Sequence, residues 1–242
     1  PVVDLQTGRI AGKEALIRWN HPTRGLLNPS QFLPAVEQGG LVEQIGEFML
    51  DQVCAQHEQW VKAGFDPGWV SVNVSAHHFR SPHFPAQLQS ILKRYELPKG
   101  LLRIEITEEA MLKPTPEVLE NFQSLREMGI YIAIDDFGTA YSSLHYLARY
   151  PMQALKIDKE FIDRVDKSSR MAGLVRSIIG MGINLSMEVV AEGVERQNQL
   201  ELLQRMGCRE AQGYLFSMPV PWQDYLEVQR GLAGRLASLL PV

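Results

Sequence analysis

Short apolar runs rich in Val and Ile alternate along the chain with longer stretches whose apolar residues recur every three or four positions. That alternation predicts parallel strands joined by helical crossovers. Eight runs read as strands: Pro1 to Leu5, Ile10 to Ile17, Trp69 to Ser75, Leu102 to Thr107, Tyr131 to Asp135, Ala154 to Asp158, Met187 to Ala191 and Ala211 to Phe216. Eight is the number that closes a TIM-type (β/α)8 barrel, a fold of roughly 250 residues; the chain has 242. Between the runs, Leu41, Ile45, Phe48, Met49 and Val53 share one helical face, and Gly64 follows as a stop. Thr115, Pro116 and Glu117 supply an N-cap, a first-turn proline and an acid matched to the helix dipole, and Gly129 ends that helix. Further helices read from Arg170 to Met181, Arg196 to Met206 and Trp222 to Leu240. No linker or repeat interrupts the series, so residues 1–242 read as a single α/β domain.

The polar exceptions to this pattern fall near the carboxyl end of strand after strand. They are Asn73 in SVNVS, Glu105 in RIEIT, Asp135 and Asp136 in IAIDD, Lys156 in LKID, Glu192 in VVAEG and Gln212 in AQGYLF. They recur 20 to 36 residues apart, about one strand-helix unit each, so a closed barrel gathers them on one rim. Each has a plainer reading when taken alone. Asp135 and Asp136 suit a turn or a helix cap, Lys156 a solvated strand edge, Glu105 and Glu108 of EITE the wet side of an alternating strand, and Gln212-Gly213 a bend. Repetition on nearly every strand favours the shared rim.

A rim holding Glu14, Glu105, Asp135, Asp136 and Glu192 needs positive charge, because crowded and desolvated carboxylates raise one another's pKa. Lys156 supplies one charge. Oxygen donors without histidine suit Mg²⁺ or Mn²⁺ rather than zinc. Such sites polarise phosphoryl oxygens and generate hydroxide, often with two ions about 3.5–4 Å apart, which makes phosphodiester hydrolysis the first functional reading.

Composition narrows the alternatives. Hydrophobic residues at 45% and charged residues at 21% fit a globular chain, and a net charge of -4 argues against a polyanion binder, so no nucleic-acid polymer is expected as a partner. Cys54 and Cys208 form no metal or redox motif, and no apolar run reaches the roughly 20 residues that span a bilayer. A cytoplasmic setting is the expectation. The chain opens at Pro1 inside a strand without an initiator Met, so it reads as a fragment of a longer protein, one that can carry an inner-membrane anchor elsewhere. His77, His78 and His83 read as a surface loop, and DFGTAYSS as a stretch able to cradle phosphate but lacking any P-loop pattern.

The motifs EALIRW (Glu14 to Trp19), HPTRGLLNPSQFLPAVE (His21 to Glu37), SVNVS, EITE, DDFGTAYSSL (Asp135 to Leu144), LKIDKEF, AEGVE and QGYLF together resemble the EAL family of cyclic di-GMP phosphodiesterases, from Pro1 to about Pro219. The resemblance implies a TIM-type barrel with one strand reversed and hydrolysis of cyclic di-GMP to linear pGpG. It implies that Glu14, Asn73, Glu105 and Asp135 hold one Mg²⁺ or Mn²⁺, with Asp135 shared and Asp136 serving a second. Lys156 and Glu192 match positions that orient and deprotonate the attacking water, and Gln212 matches a position beside them. Leu16 resembles a wall against guanine and Arg18 a phosphate contact, while Glu108 and Glu195 resemble supports of the loop after the Asp-Asp strand. A homodimer and attached regulatory or sensory domains are further implications.

Two departures stand out. Ala140 replaces the usual second Gly of that loop, where a methyl group disfavours positive φ. The family's Gln before the first Pro is absent from the sequence. The alternatives are a catalytically inactive cyclic di-GMP receptor and an interaction module that uses Arg170 to Met181.

Overall fold

A computed structural model describes residues 1–66, 68–111, 115–138, 147 and 149–240. The chain begins with β1 (Val2–Asp4), β2 (Arg9–Ala15), β3 (Trp19–His21), β4 (Gly25–Leu27), α1 (Pro29–Gln38) and α2 (Val42–Lys62). It continues through β5 (Trp69–Asn73), α3 (Ala76–Arg80), α4 (Phe84–Leu92), β6 (Leu102–Thr107), a 3₁₀ turn (Glu108–Met111), α5 (Pro116–Glu127) and β7 (Tyr131–Phe137). The last third holds β8 (Ala154–Ile157), α6 (Lys159–Ile162), α7 (Ser169–Asn184), β9 (Glu188–Ala191), α8 (Gln197–Arg205), β10 (Glu210–Ala211) and α9 (Tyr225–Leu239).

Eight of these strands close a barrel in the order β1-β10-β9-β8-β7-β6-β5-β2. Only β1 runs antiparallel to both of its neighbours, and the other six pairings are parallel. The expected TIM-type barrel with one reversed strand is the fold observed.

Register decides what faces the lumen. Lateral partners in a sheet point the same way, and the pairs Glu14–Ser71, Asn73–Glu105, Glu105–Ala133, Ala133–Ala154 and Lys156–Val190 therefore set one inward-facing series. Its upper layer carries the ionisable residues. Its waist is built from the small buried side chains of Ser71, Ala133 and Ala154, which leave lumen volume to the long side chains above. Below the waist, the Arg103 guanidinium lies 3.9 Å from the Trp69 ring and 4.0 Å from that of Tyr131, and it bonds Glu188 at 2.8 Å. The aliphatic residues of alternate parity, among them Ile104, Ile132, Ile134, Leu155 and Val189, join the buried core on the outer face.

Several elements depart from the sequence reading. The strand expected over Ala211 to Phe216 stops at Ala211. Gly213 takes φ +155, and a side chain there would strike the Val194 backbone. The chain therefore turns out of the sheet, with Val194 N–H donating to Gln212 O and Leu215 N–H donating to Val194 O. The hairpin β3–β4 and helices α1, α3 and α4 were not anticipated. The hairpin, α1 and the start of α2 enclose a small core of their own around Leu27, Phe32 and Val36. His77 and His83 are exposed as expected, but His77 and His78 lie on a short helix, and His78 is buried, meets Gln87 Oε1 at 3.1 Å and packs against the Phe84 ring. No helix among the described residues is long and apolar enough to cross a membrane. Ala140 and the segment 139–146 lie outside the described residues.

Helices α2 and α9 are tied to the outer face of β2 through a buried polar contact. Lys13 Nζ lies 5.4 Å from the Trp60 ring and 5.2 Å from that of Tyr225, near the carbonyls of Gly68 and Trp69. His57 Nε2 donates to the Gly68 carbonyl at 2.9 Å. Burial, reinforced by Lys13, lowers the His57 pKa from 6.5 to about 4. The unfolded chain therefore takes up a proton that the folded chain refuses, so this contribution to stability is full above pH 6.5 and declines toward pH 4. Acids with raised pKa act in the opposite sense over the same range, so the His57 contribution is read as a difference: between pH 6.5 and 4 the urea midpoint of the unsubstituted protein should drop relative to that of His57→Gln. Parallel pH profiles in the two proteins would contradict the assignment.

Candidate active site

The parallel strands deliver their last inward-facing residues to one mouth of the barrel. Glu14 comes from β2, Asn73 from β5, Glu105 from β6, Asp135 and Asp136 from β7 and Lys156 from β8. Glu192 and Gln212 follow directly after β9 and β10. Lys156 is 2% exposed, and its Nζ lies 2.6 Å from Glu105 Oε2, 2.6 Å from Glu192 Oε1, 3.0 Å from Asp135 Oδ1 and 3.4 Å from Glu14 Oε2. Gln212 Nε2 bridges Glu14 Oε2 at 2.7 Å and Glu192 Oε1 at 3.0 Å, and Asn73 Nδ2 donates to Glu14 Oε1 at 2.7 Å.

Two consecutive acids on a regular strand would point to opposite faces. Here the β7–β8 register shifts between Ile134 and Phe137, and Asp136 adopts φ +52, a conformation costly for a residue with a side chain. The bulge lets both carboxylates serve the mouth. Two groups of carboxylates result, Glu14 with Glu105 and Asp135, and Asp135 with Asp136 and Glu192, each with ligand oxygens within 4.8 Å of one another. Asp135 belongs to both.

Charge balance explains the protonation pattern. Burial alone would strip the proton from Lys156, but Glu105, Glu192, Glu14 and Asp135 hold its pKa well above the usual lysine value. Burial pushes Glu105 up to about 8, with Glu14 and Asp135 adding to the shift against the pull of Lys156. Burial likewise raises Glu192 well above the carboxylate range. Asp136 rises to about 6 through burial, Asp135 and Asp158. Burial works on Glu14 too, but Lys156, Gln212 and Asn73 outweigh it and keep that carboxyl below its ordinary value.

Five acids thus share one ammonium, and protons held by the groups whose pKa is raised, Glu105 among them, meet only part of the remaining negative charge. Divalent cations can take the protons' place. The donor set fits a hard ion, since it is all oxygen and one carboxylate, Asp135, stands in both groups. Ligation through Asn73 would use its amide oxygen, which requires the amide to turn over from the orientation that now serves Glu14.

The other expected site residues are spread more widely. Leu16 is 41% exposed just beyond β2, and Arg18 donates to the Ile17 carbonyl rather than to the carboxylates. Glu108 Oε1 accepts the Gly138 N–H at 2.7 Å, at the end of the Asp-Asp strand. Glu195 pairs with Lys159 at 2.6 Å. Sequence reading passed over Asp158, which neighbours Asp136 and caps α6 by accepting the Glu160 N–H at 2.7 Å. Its signal was available two residues after Lys156.

Cation binding at this mouth must release protons, because Asp136 at about 6 and Glu105 at about 8 retain them. Affinity for Mn²⁺ is therefore expected to rise as pH increases from 6 to 8. Calorimetric titrations in two buffers of different ionisation enthalpy report the release. A pH-independent affinity with no proton release would contradict the placement of ions among these acids.

Comparison with known proteins bears on the family and the fold. The family model for the EAL domain matches residues 1–219. MucR of Pseudomonas aeruginosa, named a bifunctional diguanylate cyclase/cyclic di-GMP phosphodiesterase, is 41% identical over 226 residues, covering 93% of this chain and 33% of MucR. DosP of Escherichia coli, an oxygen sensor protein, is 37% identical over 242 residues, covering all of this chain and 29% of DosP. The chain thus spans about a third of the length of these curated relatives. The solved MucR phosphodiesterase in complex with cyclic di-GMP superimposes with a TM-score of 0.88 at 40% identity, over 93% of this chain and 91% of that one. A family model that matches residues 1–219 and a solved relative of 40% identity with the same fold lead to one assignment: the chain belongs to the EAL domain family.

Proposed function

We propose that this chain hydrolyses one phosphodiester bond of cyclic di-GMP, releasing linear pGpG, with two Mg²⁺ or Mn²⁺ ions as cofactors. The observation that carries the reading is the pair of carboxylate groups sharing Asp135 beside Lys156. Glu14, Asn73, Glu105 and Asp135 would hold one ion, and Asp135 and Asp136 would serve the other, beside Glu192. Bound there, divalent ions polarise phosphoryl oxygens and acidify water.

The chain's own residues supply the rest. Glu192 is a stronger base than an ordinary carboxylate because its pKa is raised by burial, so once ionised it can take a proton from attacking water. Lys156 and Gln212, both bonded to Glu192, fix its orientation. Lys156 also offers a permanent positive charge to the anionic phosphoryl group. Water adds to phosphorus as the bond to the 3′-oxygen breaks in line, the departing oxygen takes a proton from solvent water to leave as a hydroxyl, and Glu192 returns its own proton to solvent. The homodimer and the regulatory domains belong to the same reading, with the surface from Arg170 to Met181, where Leu174 is exposed, as the candidate dimer face.

The direct test incubates the purified chain with cyclic di-GMP and Mg²⁺ or Mn²⁺, beside a chelator control, and follows products by chromatography. Metal-dependent pGpG is expected. Cyclic di-GMP that binds but stays intact would make the chain a receptor instead. Glu14→Ala should lower turnover by about 10²–10³ through loss of a ligand, while Lys156→Ala should lower kcat far more than it changes KM. Hydrolysis retained in Glu14→Ala, or an effect of Lys156→Ala confined to KM, would overturn these roles.

A further inference from the structure

Glu192 lies at the start of a link whose backbone has no side chain of its own to hold it. Gly193 adopts φ +68, a left-handed conformation that glycine enters and leaves easily. The residues beyond it are fixed from the inside. Val194 is held between Gln212 and Leu215 of the neighbouring turn, and the N–H groups of Glu195 and Arg196 both donate to Gln199 Oε1, at 2.9 and 2.8 Å. The outer side of Gly193 is covered by Lys159. A Cβ placed on Gly193 would meet Lys159 Cγ at 2.5 Å, Cβ at 2.8 Å and Cδ at 2.9 Å. Beyond the glycine, Lys159 Nζ pairs with Glu195 at 2.6 Å and lies 5.6 Å from the Tyr214 ring.

We propose that Lys159 is a positioning residue for Glu192, its stem and its ion pair with Glu195 strapping the Gly193 link so that the Glu192 carboxylate keeps its place beside Lys156. The proposal rests on the reading of Glu192 as the group that deprotonates water. Lys159 reaches from the segment that follows Lys156 to the segment that follows Glu192, so it joins the two elements whose side chains meet at 2.6 Å. An exposed ion pair adds little to global stability. Its effect here is on geometry, and misplacing a reacting group by an ångström costs up to about 10² in rate.

Lys159→Met keeps most of the stem and removes the charge. We expect kcat to fall about tenfold with KM within about twofold, and the unfolding midpoint to stay unchanged. The charge swap Lys159→Glu with Glu195→Lys should recover kcat to within about threefold of wild type. Hydrogen exchange gives a readout independent of turnover: amides of residues 192–196 should exchange about tenfold faster in Lys159→Met, with the rest of the chain unaltered. Wild-type kcat in Lys159→Met, unaltered exchange at 192–196, or a rise confined to KM would each overturn the strap. Glu192→Gln separates the two readings. If it keeps wild-type kcat, the base assignment fails; if it is inactive while Lys159→Met is as fast as wild type, only the positioning role fails.

Discussion

The ammonium group of Lys156 lies among four carboxylates, two of them at 2.6 Å, at the mouth of a barrel from which water is largely excluded. Burying acids at this density costs several kcal/mol per unpaired ion, and one lysine balances only part of the charge. The rest of the site follows from that imbalance. The lysine and two amides favour the ionised form of Glu14, while burial favours the protonated forms of Glu105, Glu192 and Asp136, whose protons a divalent cation can displace. A structure that satisfies its charges only in part is ready for cations and for the phosphate they attract.

The barrel makes such crowding possible. Parallel register brings the ends of successive strands to one level, and small side chains at Ser71, Ala133 and Ala154 leave the lumen to longer ones above. The aliphatic residues that stabilise the fold point the other way, toward the helices, so the chemistry at the mouth is separated from the core that bears its cost. The bulge at Asp136 is a local strain accepted for the same purpose. A regular strand would send one of the two adjacent acids outward, and the left-handed residue brings both to the mouth.

Much of this was legible in the sequence because strand periodicity is simple. An apolar run ending in one polar residue, repeated every strand-helix unit, marks both the barrel and its functional rim, and Glu105, Asp135, Lys156 and Glu192 were found that way. Elements whose sequence lacks periodicity were not found. The hairpin carrying Trp19 and the short helices with Pro29, Pro34 and Pro85 carry no such pattern, yet neighbouring apolar residues stabilise them. The final strand was read as too long because Tyr214, Leu215 and Phe216 look like strand residues, whereas the close approach of Gly213 to Val194 forces a turn. His78 was placed at the surface because polarity was taken for exposure; its ring is half hydrocarbon and packs on Phe84. The contact of Lys159 with Gly193 depends on a backbone angle, and no pattern of residue types reports one.

Asp135 belongs to both carboxylate groups, and the proposed function makes it the shared ligand of two cations at the barrel mouth. Electron paramagnetic resonance of the chain titrated with Mn²⁺ tests it most directly, since two ions bridged by one carboxylate couple magnetically and separate ions do not. The account predicts two Mn²⁺ per chain with an exchange-coupled spectrum that Asp135→Asn abolishes. A single uncoupled Mn²⁺ per chain, or coupling that survives Asp135→Asn, would contradict it.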